Sequence, residues 1–122
     1  MNVQKVLIVE DDLWLAEHYL RILSAVGYKV LIAPHALAAI DAIDDDIPDA
    51  IILDMLLSGS TALALLNELQ SYGDTGSIPI ILCTNLASEL SLEDLRSYGV
   101  RQIIDKTKMV PNDLILALRS EM

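Results

Sequence analysis

The stretch Ala50-Ile51-Ile52-Leu53-Asp54-Met55-Leu56 sets four apolar residues in an unbroken run and stops them at one carboxylate. Such a run predicts a strand buried on both faces, as in a parallel sheet with helices above and below. A charge inside that strand would cost several kcal/mol unless paired or metal-bound. Asp54 therefore belongs at the carboxyl end of the strand, where open α/β sheets bind their ligands. The rest of the chain decides what meets it there.

The 122 residues are 53% hydrophobic, enough for one core and too few for two, so one domain over residues 1–122 is expected. No apolar run approaches the roughly 18 residues of a membrane span. Met1-Asn2-Val3-Gln4-Lys5 leads into a strand without a signal peptide's charge-then-apolar layout. The cytoplasm is the expected compartment. A single cysteine, Cys83, excludes an internal disulfide and reads as a small buried hydrophobe.

The net charge of −10 would repel phosphate backbones, so no direct binding of nucleic acid is expected. Asp41, Asp44, Asp45, Asp46 and Asp49 contribute much of it, as a solvated helix end and loop. They lack the spacing and central glycine of a calcium loop. His18 and His35 have no Cys or His at ligand spacing and assemble no nucleophilic triad.

In chain order, Lys5-Val6-Leu7-Ile8-Val9 reads as a strand ending in the acids Glu10-Asp11-Asp12, with Asp12 as the next helix's N-cap. Leu15, Tyr19, Ile22, Leu23 and Val26 then mark one face of a helix that Gly27 stops. A strand over Tyr28 to Ala33, a helix from His35 to about Asp45 and the Asp54 strand follow. Ser58 to Thr61 reads as a loop and helix start, and Ala62 to about Tyr72 as an apolar helix. A strand from Ile78 to Cys83 is followed by Thr84, a helix capped by Ser91 and closed by Gly99, and a strand over Gln102 to Asp105 followed by Lys106. Pro111 opens the last helix, with Leu114, Ile115 and Leu118 facing inward.

Five strands alternating with five helices predict a flavodoxin-like three-layer α/β/α sandwich, its five-stranded parallel sheet in the order 2-1-3-4-5. Strands one and three are then neighbours and bring Glu10, Asp11 and Asp54 into one crevice. Three carboxylates so close favour a hard cation such as Mg²⁺ between them. Thr84 brings a hydroxyl and Lys106 a positive charge, and three negative charges balance Mg²⁺ plus one lysine. That set suits phosphoryl transfer, which rests on positioning and charge neutralisation.

With Glu10-Asp11, Asp54, Thr84 and Lys106 in this order, and spacings of 84 − 54 = 30 and 106 − 84 = 22, the chain resembles the receiver domains of two-component response regulators over essentially its whole length. The resemblance implies that Asp54 accepts a phosphoryl group from a phosphohistidine on a histidine kinase or histidine phosphotransfer protein. It implies Mg²⁺ held at Asp54, by Asp11 directly, by Glu10 through water and by the backbone carbonyl of Leu56. It further implies that Lys106 pairs with phosphoryl oxygens and that Thr84 moves to bond the phosphate, switching contacts with a downstream protein. Trp14 reads either as packing against the domain's own loops or, with Leu15 and His18 and as the resemblance implies, as part of the donor's docking patch.

The chain departs from the family pattern at Ser58 and Ala62, where a proline and a glycine are usual, with Gly59 left to supply loop flexibility. Thr107 replaces the proline after the lysine, and a cis non-proline bond costs about 3–4 kcal/mol, so a trans Lys106–Thr107 bond is expected. Ile103 replaces the aromatic switch residue. Asn85 and Leu56 are expected to narrow water access and lengthen the phosphoryl lifetime. These departures keep open a second class of function, an interaction domain independent of phosphorylation. Flavodoxin-like and haloacid-dehalogenase-like enzymes fit less well, because Glu10-Asp11-Asp12 stands where the first needs a phosphate loop and Leu56 where the second needs an aspartate.

Overall fold

A computed structural model describes residues 3–57 and 60–122. Its sheet strands are β1 (Lys5–Val9), β2 (Lys29–Ala33), β3 (Ala50–Leu53), β4 (Ile80–Thr84) and β5 (Val100–Asp105), all parallel and in the order β2-β1-β3-β4-β5. The expected topology is what forms. β1 and β3 pair with Val9 opposite Leu53, so Glu10 and Asp54 leave the sheet side by side.

Alternation along the strands sorts the core into two layers. Leu7, Val9, Ile51, Leu53, Ile80 and Leu82 pack toward α2 (Ala36–Asp45) and α3 (Ala62–Gln70). Val6, Ile8, Ile52, Ile81 and Cys83 pack toward α1 (Leu13–Ala25) and α5 (Pro111–Glu121). No helix among the described residues is long and apolar enough to cross a membrane.

Local signals set the helix ends. The Asp12 carboxylate accepts the Leu15 N–H at 3.2 Å, as an N-cap. His35 caps α2 in the same way, its Nδ1 accepting from the Ala38 N–H at 3.1 Å. Gly27 has φ +101° and closes α1 as expected. Val26 is 43% exposed rather than on the core face, because as the C-cap it has already left helical geometry. Ala16, fully buried, takes a place on that face that the apolar spacing did not assign.

Several elements differ from the sequence reading, among them β2, which begins at Lys29 rather than Tyr28. β4 runs from Ile80 to Thr84 rather than from Ile78, and β5 begins at Val100 and bulges where Ile80 and Ile81 face Val100 and Gln102. The helix after Ser91 is one α-turn, α4 (Leu92–Leu95), tightening into a 3₁₀ turn (Arg96–Tyr98) before Gly99 at φ +86°. Leu56–Leu57 also pairs antiparallel with Ser60–Thr61, where a loop was expected. The expectations for Ser58 and Gly59 lie outside the described residues.

The two left-handed glycines face different surroundings. A Cβ on Gly27 would meet nothing within 4 Å, whereas one on Gly99 would lie 2.9 Å from Gln70 Nε2. That amide donates to the carbonyls of Gly76 and Tyr98 at 3.3 and 3.1 Å. Gly27→Ala should therefore cost about 1–2 kcal/mol of backbone strain. Gly99→Ala should cost about 1 kcal/mol more, because Gln70 must give up its bonds; urea denaturation of both variants measures the difference. A second expectation concerns Cys83, which is 1% exposed, with its thiol pushed up by burial to about 11. At pH 8 a thiol reagent should modify Cys83 only as fast as the protein opens, and rapid labelling of the native state would contradict this packing.

Candidate functional site

The crevice forms where β1, β3 and β5 end, β1 and β3 as neighbours and β5 on the far side of β4. The Asp54 N–H donates to the Val9 carbonyl at 3.2 Å and the Glu10 N–H to the Ala33 carbonyl at 3.1 Å, continuing the ladders one step past the strands. The Lys106 N–H donates to the Thr84 carbonyl at 3.1 Å, fixing the lysine at the end of β5. Glu10, Asp54 and Lys106 thus each sit on the first residue after a paired strand, Asp11 one residue further on and Thr84 on the last residue of β4. Backbone pairing, not a flexible loop, sets their positions.

Glu10, Asp11 and Asp54 each present a carboxylate oxygen, and these atoms all lie within 4.8 Å of one another. Lys106 Nζ donates to Asp54 Oδ2 at 3.0 Å and to Glu10 Oε1, forming ion pairs with both. Glu10 is 2% exposed, and its second oxygen, Oε2, is buried without a hydrogen-bond partner. Asp11 is exposed and Asp54 half-buried.

Burial pushes the Glu10 carboxyl above its ordinary value; the Lys106 hydrogen bond and charge oppose the shift, and Asp54's charge adds to it. Burial also works to lower the Lys106 ammonium, but its hydrogen bonds to Glu10 and Asp54 outweigh that and leave it above its usual range. Lys106 is therefore a fixed positive charge at neutral pH. One lysine against three carboxylates gives these four side chains a formal net charge of −2. An all-oxygen donor set with an orphaned buried carboxylate oxygen fits a hard divalent cation such as Mg²⁺.

Thr84 is fully buried, and its Oγ1 accepts the Leu86 N–H at 3.2 Å. Its carbonyl holds the Lys106 N–H, and its hydroxyl oxygen accepts from its own loop. The backbone of Leu56 is also informative. The Ala62 N–H donates to the Met55 carbonyl at 3.0 Å, one step outside the Leu56/Thr61 pair. Antiparallel pairs bracketed in this way do not bond each other, so the Leu56 carbonyl is left out of the ladder's hydrogen bonds.

Asp105, just before the lysine, accepts the Thr107 N–H at 2.9 Å and the Thr107 hydroxyl at 2.6 Å. These bonds hold the Asp105 carboxyl below its usual range and stabilise the turn without proline. The Lys106–Thr107 bond is trans, there being no cis peptide among the described residues. Ile103 is partly buried against the α2–α3 layer of the core.

The crevice has a volume of about 530 Å³, and Trp14, Leu15, His18 and Asn85 line it together with the charged residues. Trp14 is 71% exposed and stacks on His18, with centroids 5.9 Å apart and planes 12° apart. Sequence spacing did not identify Tyr19 and Met109 as wall residues. Tyr19 reads from its spacing as core, which it also is: its hydroxyl lies 3.5 Å from Cys83 Sγ, which lies 3.4 Å from Met109 Sδ. Met109 carries no sequence signal beyond standing three residues after Lys106.

Comparison with known proteins points the same way. The chain is 36% identical over 80 residues to the response regulator MprA of Mycobacterium avium, a match taking in 66% of this chain and 34% of that protein. The chain thus spans about a third of the length of such relatives. Among solved structures, the chemotaxis response regulator CheY4 of Vibrio cholerae superposes with a TM-score of 0.86 at 22% identity, covering 99% of this chain and 100% of that one. The receiver domain of the sensor histidine kinase PA1611 from Pseudomonas aeruginosa, which has a magnesium ion coordinated in its active-site cleft, gives 0.86 at 22% identity over 98% of each chain. These two likenesses establish the fold. The family model of the response regulator receiver domain matches residues 6–119, and the chain belongs to that family.

Proposed function

We propose that residues 1–122 act as one phosphoacceptor module, taking a phosphoryl group on Asp54 from a phosphohistidine and thereby switching protein–protein contacts. The observation that carries this is Lys106 bonded to both Glu10 and Asp54, inside a set of three carboxylates whose oxygens lie within 4.8 Å. A domain kept only for interaction has no physical need for a buried, incompletely satisfied carboxylate, which costs stability. The assembled cluster therefore favours the phosphoacceptor over the phosphorylation-independent alternative.

In the reaction, an Asp54 carboxylate oxygen attacks phosphorus. The P–N bond breaks, and its electron pair leaves with the imidazole nitrogen, which takes up a proton. Lys106 holds a charge beside the carboxylate and pairs with the transferred oxygens as they arrive. Glu10, Asp11, Asp54 and the Leu56 carbonyl would hold Mg²⁺, which supplies two positive charges against the carboxylates and the phosphoryl group. Thr84 accepts the Leu86 N–H through Oγ1 and keeps its own O–H to donate to a phosphoryl oxygen, so movement of the hydroxyl toward that oxygen would pull on the Leu86 contact and link the site to residues 85–90. With an aliphatic Ile103 in place of a ring, that link is the proposed transmission route.

Phosphodonors are histidine kinases or histidine phosphotransfer proteins docking on the crevice rim at Trp14, Leu15 and His18, and the output is contact with a downstream protein. The module works in the cytoplasm and binds neither nucleic acid nor membrane itself.

Incubation with Mg²⁺ and acetyl phosphate should add one phosphoryl group by intact mass, absent in Asp54→Ala and abolished by EDTA. No adduct together with no Mg²⁺ affinity would overturn the proposal. Lys106→Met should slow adduct formation at least about ten-fold, the value of one charge-assisted contact. It should also lower stability in metal-free urea titrations by about 3 kcal/mol, since Glu10 is left buried and unpaired. Asn85→Ala should shorten the phosphoryl lifetime if Asn85 limits water access; an unchanged lifetime would remove that role.

A further inference from the structure

At the opposite end of the sheet from the crevice, α2 and α3 finish side by side and leave a groove unrelated to the phosphoacceptor chemistry. It comprises two adjoining hollows of about 100 and 170 Å³. Ile40, Ile43 and Leu69 line it from the core side, while Ile47 and Tyr72 stand at its edge, 41% and 58% exposed. Exposed apolar side chains gathered around a concave apolar floor mark a surface built for contact.

The charge around this groove has one sign. Asp44, Glu68 and Asp74 line it and are exposed, and among the described residues no ion pair engages any of them. The nearby Asp46 differs, because Lys5 neutralises it. Asp44 and Glu68 also sit in the last turns of α2 and α3, which hold no basic residue. A carboxylate at a helix C-terminus opposes the dipole, where a cation would be favoured. Two helices ending this way, beside one groove, create a negative field over an apolar floor.

From this pairing of shape and charge we infer that the α2–α3 groove docks a basic amphipathic segment of a partner protein, an apolar anchor flanked by Lys or Arg. The anchor fills the hollows between Ile43 and Leu69 and packs on Tyr72. The flanking cations face Asp44, Glu68 and Asp74 and complement both helix C-termini. A second copy of this chain is a poor occupant, since two chains of −10 repel. The surface lies away from Asp54, so docking needs no phosphoryl group.

The test is NMR titration of the full chain with a synthetic amphipathic peptide of about four helical turns built from Lys and Leu, and with its Glu/Leu counterpart. The Lys/Leu peptide should shift amides in residues 40–47 and 68–75, and the Glu/Leu peptide should shift none. The double variant Asp44→Lys/Glu68→Lys should weaken binding about ten-fold or more, and Tyr72→Ala should weaken it as well. Glu93→Lys/Asp94→Lys changes the net charge equally at exposed sites elsewhere and should leave the affinity unchanged. Absence of binding, shifts centred on another surface, or equal loss in both double variants would overturn the proposal.

Discussion

The site depends on one ammonium shared between two carboxylates. Lys106 comes from the end of β5, Glu10 from the end of β1 and Asp54 from the end of β3, so a single Nζ ties together three strands. The shared cation offsets the repulsion between the two carboxylates and part of the desolvation of buried Glu10. With Asp11 counted, the four side chains keep a formal net charge of −2. That residual charge is what would draw the divalent cation of the proposed phosphoacceptor chemistry.

The sheet ends supply the rigidity this sharing requires. Glu10, Asp54 and Lys106 each follow directly on a residue paired in the ladder, and each is held by its own backbone N–H. The segments beyond are held by local bonds instead. Thr84 bonds forward to Leu86, and Asp105 folds Thr107 back on itself. The proposed switch would draw on this arrangement, a fixed charge cluster bordered by short, locally bonded loops.

Much of this was legible in the sequence because the signals are local and repeated. β-branched runs ending in acids, Gly27 after an amphipathic helix and Pro111 at a helix start each name an element and a boundary. Together they fix the strand order that brings Glu10, Asp11, Asp54 and Lys106 together. What was not legible depended on three-dimensional neighbours. Tyr19 carries a core residue's spacing yet also walls the crevice. Ala16 is fully buried because of where α1 packs rather than because of its own hydrophobicity. The pairing of Leu56–Leu57 with Ser60–Thr61 joins two dipeptides too short to carry a pattern. The helix opened by Ser91 shows its cap plainly, but not that α-geometry would give way to 3₁₀ after Leu95.

The alternation of β3 between two core layers has a consequence for how this chain can vary. Ile51 and Leu53 face one layer and Ile52 the other. One residue inserted or deleted within the strand would turn every residue on one side of the change to the wrong layer. The same change would move Asp54 by about 3.3 Å along the sheet, out of reach of Lys106. Folding and chemistry would fail together, so length changes that spoil only one of them have no place in β3. Variation in length is left to the turns at the far end of the sheet, where the chain can lengthen without altering the distance between two charges.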